Sequence, residues 1–514
     1  MKLFGMFHKK KYPSSWKQQR QAKQHKEECI SAELAHNMAY LRSMFSQTPD
    51  LIVRELTIKH SGERAALVYL DGLADKSSIN NDVLRPLQFE SEKSDAVGGI
   101  NVTIGQVHVF SAWWQIESAI FQGSSVLFIE GRAEAYALDT KGWPQRAIED
   151  PQIEASLKGA HQGFVETGSQ NIAMLRRYIP NRELKVKEIW VGERGKTKVC
   201  VLYLDDVTHP ELLQELLDRI QQLNVDTIIN TGELAELIED NPYSPFPQFI
   251  LTERPDAAAS QILQGRIVVV VDRSPSVLVA PVTFTSFFQN VDDYSTRWSI
   301  ATFIRLLRLL AFFIAVLLPA FYIAITSFNF EIIPVKLLIT IGDSRGRVPF
   351  PPFVEAILME ITLEMMREAG VRLPAPVGQT VGIVGGIVIG QAIVQAGLVS
   401  NIMVIVVAFT AIASFILPNY DMVAAVRLIR FAMMAAASVF GIVGIIIGVM
   451  LMIAHLISLE SLGTPYGTPF APIRLADWKD GLIRMPLWKM KKRPKSTRAI
   501  QANRQGSNHP EGDG

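Results

Sequence analysis

The chain has 514 residues, of which 48% are hydrophobic, and its 51 basic residues nearly balance its 50 acidic residues. This balance gives no overall electrostatic attraction to nucleic acid, and the length leaves room for a membrane domain beside a soluble one. With only Cys29 and Cys200, the sequence excludes a disulfide framework. The low cysteine content is compatible with a soluble part that faces the reducing cytosol.

The first residues, 1–30, are basic and rich in glutamine, and they lack the apolar core of a secretory signal. We expect a flexible arm here. Two interpretations of the arm stay open. One is a solvated tail, and the other is attraction to anionic lipid headgroups, to which each basic residue contributes about 1 kcal/mol.

Residues 31–296 alternate short apolar strands with helices, a pattern typical of a cytoplasmic α/β or α+β domain. Two strand sequences recur at a separation of roughly 140 residues. They are AALVYLD (65–71) with VCVLYLD (199–205), and GSSVLFIEGR (123–132) with GRIVVVVDR (265–273). The repeats predict two related subdomains at about 45–150 and 180–285, although generic buried strands can also resemble each other by chance.

Three features of this domain resemble catalytic sites but have simpler explanations. The GKT sequence at 195–197 lacks the earlier glycine and the following helix of a phosphate-binding loop, so it predicts a hairpin turn. Asp71 and the pair Asp205–Asp206 end strands, where turn capping explains them. The nine histidines include no pair at the ligand spacing of a helix, so we expect no metal site, no cofactor and no enzymatic activity.

Residues 297–460 predict an all-α transmembrane domain of about four spans. Arg297, Arg305 and Arg308 flank the first span, and the positive-inside rule therefore places the N-terminal domain in the cytoplasm. The expected spans are 309–328, 377–399, 402–417 and 431–456, and a shorter apolar segment at 332–341 suits an interfacial or re-entrant position.

An acidic amphipathic helix is predicted at 352–369, directly before a long charge-free segment. Three of its glutamates recur every four residues and so share one face, where like charges repel weakly. In an oligomer such a face would form acidic rings that select cations; the alternative is a solvated helix face or one that rests on the membrane. Glu355 lies apart from them and is expected to contact a neighbouring helix. The candidate pore or gating residues are Glu360, Glu364, Glu368 and three glutamines at membrane depth, Gln379, Gln391 and Gln395.

Small residues recur at helical spacing in the second and fourth predicted spans. Glycine at such positions lets helix backbones approach closely, and close approach to a ligand is the alternative. The candidate packing residues are Gly382, Gly386, Gly390, Gly441, Gly444 and Gly448.

The remainder, 461–514, is predicted to be a tail. Its basic sequence LWKMKKRPKSTR places it on the cytoplasmic side, which an even number of spans satisfies. The polar composition beyond about residue 494 predicts disorder at its end.

Four stretches together resemble the A subunit of bacterial spore germinant receptors, the GerA family. They are FFQNVDDYSTRWSIATFIRLLR (287–308), PFPPFVEAILMEITLEMMREAGVRLP (349–374), VGIVGGIVIGQAIVQAGLVSNIMVIVVA (381–408) and GTPYGTPFAPIRLADWKDGLIR (463–484). The resemblance covers about 30–484 and does not extend to the ends of the chain.

The resemblance implies a non-enzymatic germinant receptor subunit in the spore inner membrane, where a nutrient triggers cation release. It also implies two partners, a transporter-like B subunit, where the ligand pocket is expected, and a lipoprotein C subunit. We further expect contact with membrane lipid and a homo-oligomer, because four spans enclose no pore alone. The alternatives are a membrane-anchored scaffold that binds cytosolic partners and the paralogous A-like protein associated with the spore dipicolinate channel.

Overall fold

The structure is a computed structural model that describes residues 29–89, 100–142, 154, 159–373, 386 and 390–506. The predicted arm at 1–30 lies almost entirely outside the described residues, as does most of the predicted span 377–399.

Two five-stranded antiparallel sheets form the N-terminal half of the protein. The first contains β1 (Leu51–Thr57), β2 (Arg64–Leu70), β3 (Val107–Phe110), β4 (Ser125–Ile129) and β5 (Ala135–Leu138). The second contains β6 (Leu184–Val191), β7 (Thr197–Leu204), β8 (Ile250–Thr252), β9 (Ile267–Val271) and β10 (Val277–Ala280). Their strand orders, β1-β2-β4-β5-β3 and β6-β7-β9-β10-β8, are the same, so the two sheets share one topology.

The recurring sequences occupy equivalent strands, β2 with β7 and β4 with β9. The helices are α1 (Leu34–Met44), α2 (Trp113–Phe121), α3 (Gly168–Tyr178), α4 (Pro210–Gln221), α5 (Thr231–Ile238) and α6 (Pro255–Leu263), with short helical turns at Lys76–Ser78, Ile79–Leu84 and Arg85–Phe89. Because β4 and β9 are buried along their whole length, their sequences are apolar at every position except Ser125 rather than alternating. The GKT sequence forms the hairpin turn between β6 and β7, where Val191 pairs with Thr197, as predicted.

A buried ion pair and a backbone hydrogen bond connect the two sheets. Arg176 of α3 donates from Nε to Asp50, which precedes β1, over 2.5 Å, and from Nη1 to the carbonyl oxygen of Leu184 over 3.1 Å. The N–H of Val186 in β6 donates to the carbonyl oxygen of Gln47 over 3.1 Å. These contacts tie the loop before β1 to the edge of the second sheet.

The C-terminal half is helical. Its helices are α7 (Trp298–Ser327), α8 (Val335–Arg345), α9 (Pro352–Arg372), α10 (Asn401–Ile416) and α11 (Tyr420–Ser458), followed by a short helix at Trp478–Gly481. Among the described residues, α7 and α11 are long and apolar enough to cross a membrane. Helix α9 begins at a first-turn proline, which lacks an N–H group that would have no partner there.

Helix α11 folds back on itself at Gly441, whose φ of 59° and ψ of −137° are not helical. A Cβ atom built at Gly448 would lie 2.5 Å from Sδ of Met433, although fifteen residues of straight helix would separate them by about 22 Å. The helix is therefore a hairpin with arms 420–440 and 442–458. The predicted single span 431–456 is wrong, because the sharp turn at Gly441 lies inside it.

The contacts of the helix ends show which ends lie near the part of the chain before α7, which contains the two sheets and is called the soluble domain below. His455 Nε2 lies 2.8 Å from Ser244 Oγ of the soluble domain. At the opposite end, a Cβ atom at Gly441 would lie 2.9 Å from Cβ of Phe328, the residue after α7. The apex of the hairpin and the end of α7 are therefore both distal to the soluble domain.

The chain after α11 packs on the soluble domain. Ser461 Oγ donates to the carbonyl oxygen of Gln248 over 2.8 Å, and the N–H of Ile500 donates to the carbonyl oxygen of Val207 over 2.9 Å. The predicted disorder at the end of the tail is therefore wrong up to residue 506, and residues 507–514 lie outside the described part of the chain. Backbone hydrogen bonds hold this segment, and a polar sequence does not reveal them.

Candidate functional site

Arg430 lies in the first arm of α11 and contacts three other helices, although only 2% of its surface is exposed. Its Nε donates to the carbonyl oxygen of Ala315 in α7 over 2.7 Å. Its Nη1 donates to Glu360 Oε2 in α9 over 2.6 Å, and its Nη2 donates to Ser414 Oγ in α10 over 2.7 Å. We call these four residues the Arg430 hub, since one guanidinium joins four helices.

The carbonyl group of Ala315 is available to Arg430 because of a proline one turn later. In a regular helix this oxygen would accept a hydrogen bond from the N–H of residue 319, but Pro319 has none. A freed carbonyl in an apolar region needs another donor, and the guanidinium of Arg430 supplies it. Pro319 therefore creates the free acceptor in α7, and Arg430 supplies the hydrogen bond that the helix lacks there.

The three candidate glutamates of α9 all form ion pairs with arginines. Glu360 is 4% exposed and pairs with Arg430. Glu364 pairs with Arg427 of α11 and with Arg367, and Glu368 pairs with Arg372 over 2.6 Å. The sequence predicted three glutamates that repel each other weakly on one face; in the structure the two arginines of α11 are spaced to meet the first two of them.

Glu355 connects the distal ends of three helices. Its side chain is fully buried, its Oε1 accepts a hydrogen bond from Arg345 Nε of α8 over 3.2 Å, and its Oε2 accepts one from the N–H of Ser400, which precedes α10, over 3.0 Å. The expected contact of Glu355 with a neighbouring helix is confirmed.

The structure describes only part of the candidate glutamines and of the first glycine row. Gln379 and Gly382 lie outside the described residues, and Gln391 and Gln395 are exposed. A Cβ atom at Gly386 would meet, among the described atoms, only Cε of Met366 at 3.9 Å, and one at Gly390 would meet nothing within 4 Å. The predicted helix packing at these two glycines is therefore not found in the described part of a single chain. Gly444 and Gly448 instead lie on the inner face of the α11 hairpin, with Gly441 at its apex.

A second charged cluster lies where α7 leaves the soluble domain. Asp293, 3% exposed, accepts hydrogen bonds from Arg305 Nε over 2.8 Å and from Arg308 Nη1 over 2.9 Å. Arg305 also pairs with Asp480 of the tail over 3.0 Å, and Tyr294 Oη donates to the same carboxylate over 2.7 Å. This cluster, the α7 clamp, binds the N-terminal sheet domain and the tail to α7.

Comparison with known proteins assigns the family. The family model described as Bacillus/Clostridium GerA spore germination protein matches residues 39–496. The chain belongs to the GerA spore germination family. The resemblance noted in the sequence is thereby confirmed.

Relatives of this GerA-family protein are similar along most of its length. Spore germination protein KA of Bacillus subtilis (strain 168) is 42% identical over 483 residues, which are 93% of this chain and 89% of that protein. Spore germination protein GerQA of Bacillus cereus is 44% identical over 462 residues, 90% of this chain and 92% of that protein. The crystal structure of the N-terminal domain of the A subunit of the Bacillus megaterium spore germinant receptor GerK3 aligns with a TM-score of 0.40 and 26% identity, and covers 51% of this chain and 99% of that one.

The sequence analysis of this GerA-family protein did not identify the two arginines of α11 as candidate site residues. Arg427 and Arg430 are three residues apart in an apolar segment, and Glu360 and Glu364 are four apart in α9. Both spacings place the charges on one helix face, so two such faces of opposite sign in one membrane domain are complementary. That complementarity is the signal that would have predicted the hub.

Proposed function

We propose that this protein is the A subunit of a spore germinant receptor and couples nutrient detection to cation release, as an oligomeric ion-conducting or signal-transducing component. A transporter-like B subunit and a lipoprotein C subunit are its partners in this proposal, and the spore inner membrane is its location. Membership of the GerA family supports the receptor role. The observation that carries the coupling role is the Arg430 hub, because one buried charge ties the positions of four helices to each other.

The proposed membrane topology has six crossings rather than four. Helix α7 leads from the soluble domain to the distal side, and the two arms of α11 lead there and back. Helix α9 begins beside Ser400 at the distal side and comes level with Arg427 towards its C-terminal end. Because α10 begins after Ser400 at the distal side again, the chain returns there between α9 and α10, and α10 itself makes the sixth crossing. An even number of crossings keeps both termini in the cytoplasm, in agreement with the basic residues before α7.

Labelling of a cysteine at Asn401 tests this topology. Six crossings place position 401 on the outer side, whereas four spans place it on the cytoplasmic side. We expect an N401C variant in a Cys29→Ser background to react with a membrane-impermeant maleimide in intact protoplasts. The matched Asn419→Cys variant should react only after permeabilisation. The reverse pattern would eliminate the six-crossing topology.

Substitution of Glu364 tests the role of the charged face in cation release. Glu364 is 40% exposed and pairs with Arg427 and Arg367. Glu364→Gln should slow potassium release from spores after nutrient addition, and Glu364→Lys should slow it further, because a lysine places a third positive charge beside two arginines. Glu368→Gln is the matched control, since this exposed pair with Arg372 contributes about 0–1 kcal/mol.

The protein level and the assembly with partner subunits are measured in the same spores. Normal potassium release from both Glu364 variants at normal protein levels would show that the charged face of α9 does not affect ion flux. That result would favour the alternative in which the membrane helices only anchor a scaffold.

A further inference from the structure

The segment that follows α11 runs between the ends of two membrane helices. A Cβ atom at Gly467 would lie 3.4 Å from the carbonyl oxygen of Leu456, near the end of α11. Further along the segment, the carbonyl oxygen of Arg484 accepts a hydrogen bond over 3.2 Å from the hydroxyl group of Thr302, in the second turn of α7. Residues 467–484 therefore lie beside the points where α7 and α11 meet the soluble domain.

Large apolar side chains are exposed along this segment. Ile473 is 73% exposed and Leu475 is 68% exposed, and more than a third of the surface is accessible in each of four others, Phe470, Ile483, Leu487 and Trp488. Single exposed apolar residues are common on soluble proteins and need no explanation. Several within one short segment instead mark a surface that binds a membrane or another protein.

The first turns of α7 carry the same kind of surface. Trp298, Phe303 and Leu306 are exposed there, before the predicted start of the span at residue 309. The segment contacts these turns, because Arg305 pairs with Asp480 over 3.0 Å. An α-helix rises only about 10 Å from position 302 to position 309, so the segment lies beside the headgroup region of the bilayer. At that height amphipathic elements bury apolar side chains about 5–10 Å deep.

The charges of the segment suit an anionic membrane surface. The exposed charged side chains between 461 and 506 are all basic, and they are Lys479, Lys489, Lys491, Lys492, Lys495, Arg498 and Arg504. The two aspartates of this range are engaged within the protein. Asp477 accepts hydrogen bonds from the N–H groups of Lys495 and Ser496 over 2.9 Å and 3.2 Å, and Asp480 belongs to the α7 clamp. Basic clusters beside a membrane attract anionic lipids.

We propose that residues 470–492 form a membrane-interface surface, in which the exposed apolar side chains enter the cytoplasmic leaflet and the exposed lysines bind anionic lipid headgroups. A bilayer fits this surface better than a protein partner does, because the surface continues the apolar face of α7 at the height of the headgroups. The inference rests on the membrane location proposed above. Since Asp480 is the contact of the tail in the α7 clamp, lipid bound here is placed to alter how the clamp holds α7.

Spin labels in the full-length protein test the surface, after reconstitution into vesicles of phosphatidylcholine and phosphatidylglycerol. Molecular oxygen collides mainly with labels in lipid, and a water-soluble nickel chelate collides mainly with labels in water. Single cysteines at Ile473 and Leu475 are introduced in a Cys29→Ser background, in which the buried Cys200 stays in place. We expect both labels to lose accessibility to nickel and to gain accessibility to oxygen, relative to a label in water.

Ile229 is the matched control, an isoleucine that is 67% exposed in the soluble domain. It lies near the far end of β10, where Thr231 Oγ1 donates to the carbonyl oxygen of Ser276 over 2.7 Å, whereas the other end of β10 leads towards α7. A label at position 229 should therefore be accessible to nickel. Accessibility to nickel at both Ile473 and Leu475 would overturn the proposal. Labels there that are inaccessible to both reagents would indicate a protein partner and would equally contradict it.

A label at Phe313, which is exposed on α7, separates this inference from the proposed membrane location. If the label at Phe313 lies in lipid while those at Ile473 and Leu475 lie in water, only the interface surface is wrong. If the label at Phe313 lies in water, the membrane location of α7 is wrong, and the surface is wrong with it.

The lipid charge tests the role of the lysines. In vesicles of phosphatidylcholine alone, the label at Leu475 should be more accessible to nickel than in the mixed vesicles. The double variant Lys489→Gln and Lys491→Gln should reduce this difference, whereas Lys59→Gln with Lys76→Gln, two exposed lysines of the soluble domain, should retain it. Equal accessibility of the parent protein in both kinds of vesicle would show that anionic headgroups do not bind here.

Discussion

Replacement of Arg430 by glutamine is expected to destabilise the helical region by about 3–5 kcal/mol, because the buried Glu360 carboxylate loses its counter-charge. Two further groups lose their donor in the same variant, the carbonyl oxygen of Ala315 and the hydroxyl oxygen of Ser414. The measurement is the unfolding midpoint of the purified protein in detergent, together with its amount in the membrane.

A double variant distinguishes the ion pair from simple packing. Removal of both charges, as in Arg430→Met with Glu360→Leu, leaves no unpaired buried ion and should recover most of the lost stability. The exposed pair Arg372–Glu368 is the control, and Arg372→Gln should change stability by about 0–1 kcal/mol. If Arg430→Gln were as mild as Arg372→Gln, the hub would have no energetic role.

The ion pair with Arg430 also changes the expected effect of a Glu360→Gln substitution. As a member of an acidic ring that lines a pore, Glu360 would tolerate glutamine with an effect on cation flux alone. Because it is 4% exposed and hydrogen-bonded to Arg430, glutamine there is expected to reduce the amount of assembled protein before any flux is measured. Glu364, which is partly exposed, is therefore the better residue for testing conduction.

The sequence predicted the parts of the fold that depend on local pattern. Buried strands such as β4 and β9 produce apolar runs that are visible without a structure. Two of these runs recur in the sequence, and the structure places them in equivalent strands of the two sheets. The N-terminal end of α9 was predictable for a similar reason, since a proline at the first helical position is a local signal.

The parts that were missed depend on residues far apart in the chain. Glu360 and Arg430 are 70 positions apart, and nothing in either helix alone shows that they pair. Helix α9 looked like a row of weakly repelling carboxylates because Arg427 and Arg430, which pair with Glu364 and Glu360, lie on α11. Likewise, Gly441 belongs to a row of small residues, and only its positive φ distinguishes a turn from a packing face.

Replacement of Gly441 by valine is expected to open the α11 hairpin. The φ of 59° and ψ of −137° are accessible to glycine but strained for a residue with a Cβ atom, at a cost of about 1–3 kcal/mol. The added Cβ would also lie 2.9 Å from Cβ of Phe328 and 3.1 Å from Oδ1 of Asn329, so the end of α7 would have to move. The matched control is Gly342→Ala in α8, where an added Cβ meets nothing within 4 Å of the described residues and should be neutral or slightly stabilising.

The distance between the two arms is the measurement. Spin labels at Leu428 and Ile453, which are both exposed and lie at similar distances from Gly441, should be separated by about one helix spacing of 8–10 Å plus the label linkers. A straight helix would separate the two positions by about 37 Å, and all 39 residues would extend about 58 Å, nearly twice the 30 Å of a bilayer core. We expect a short distance in the parent protein and in Gly342→Ala, and a longer, broader distribution in Gly441→Val. A long distance in the parent protein would mean that α11 does not turn at Gly441, and the six-crossing topology would then be wrong.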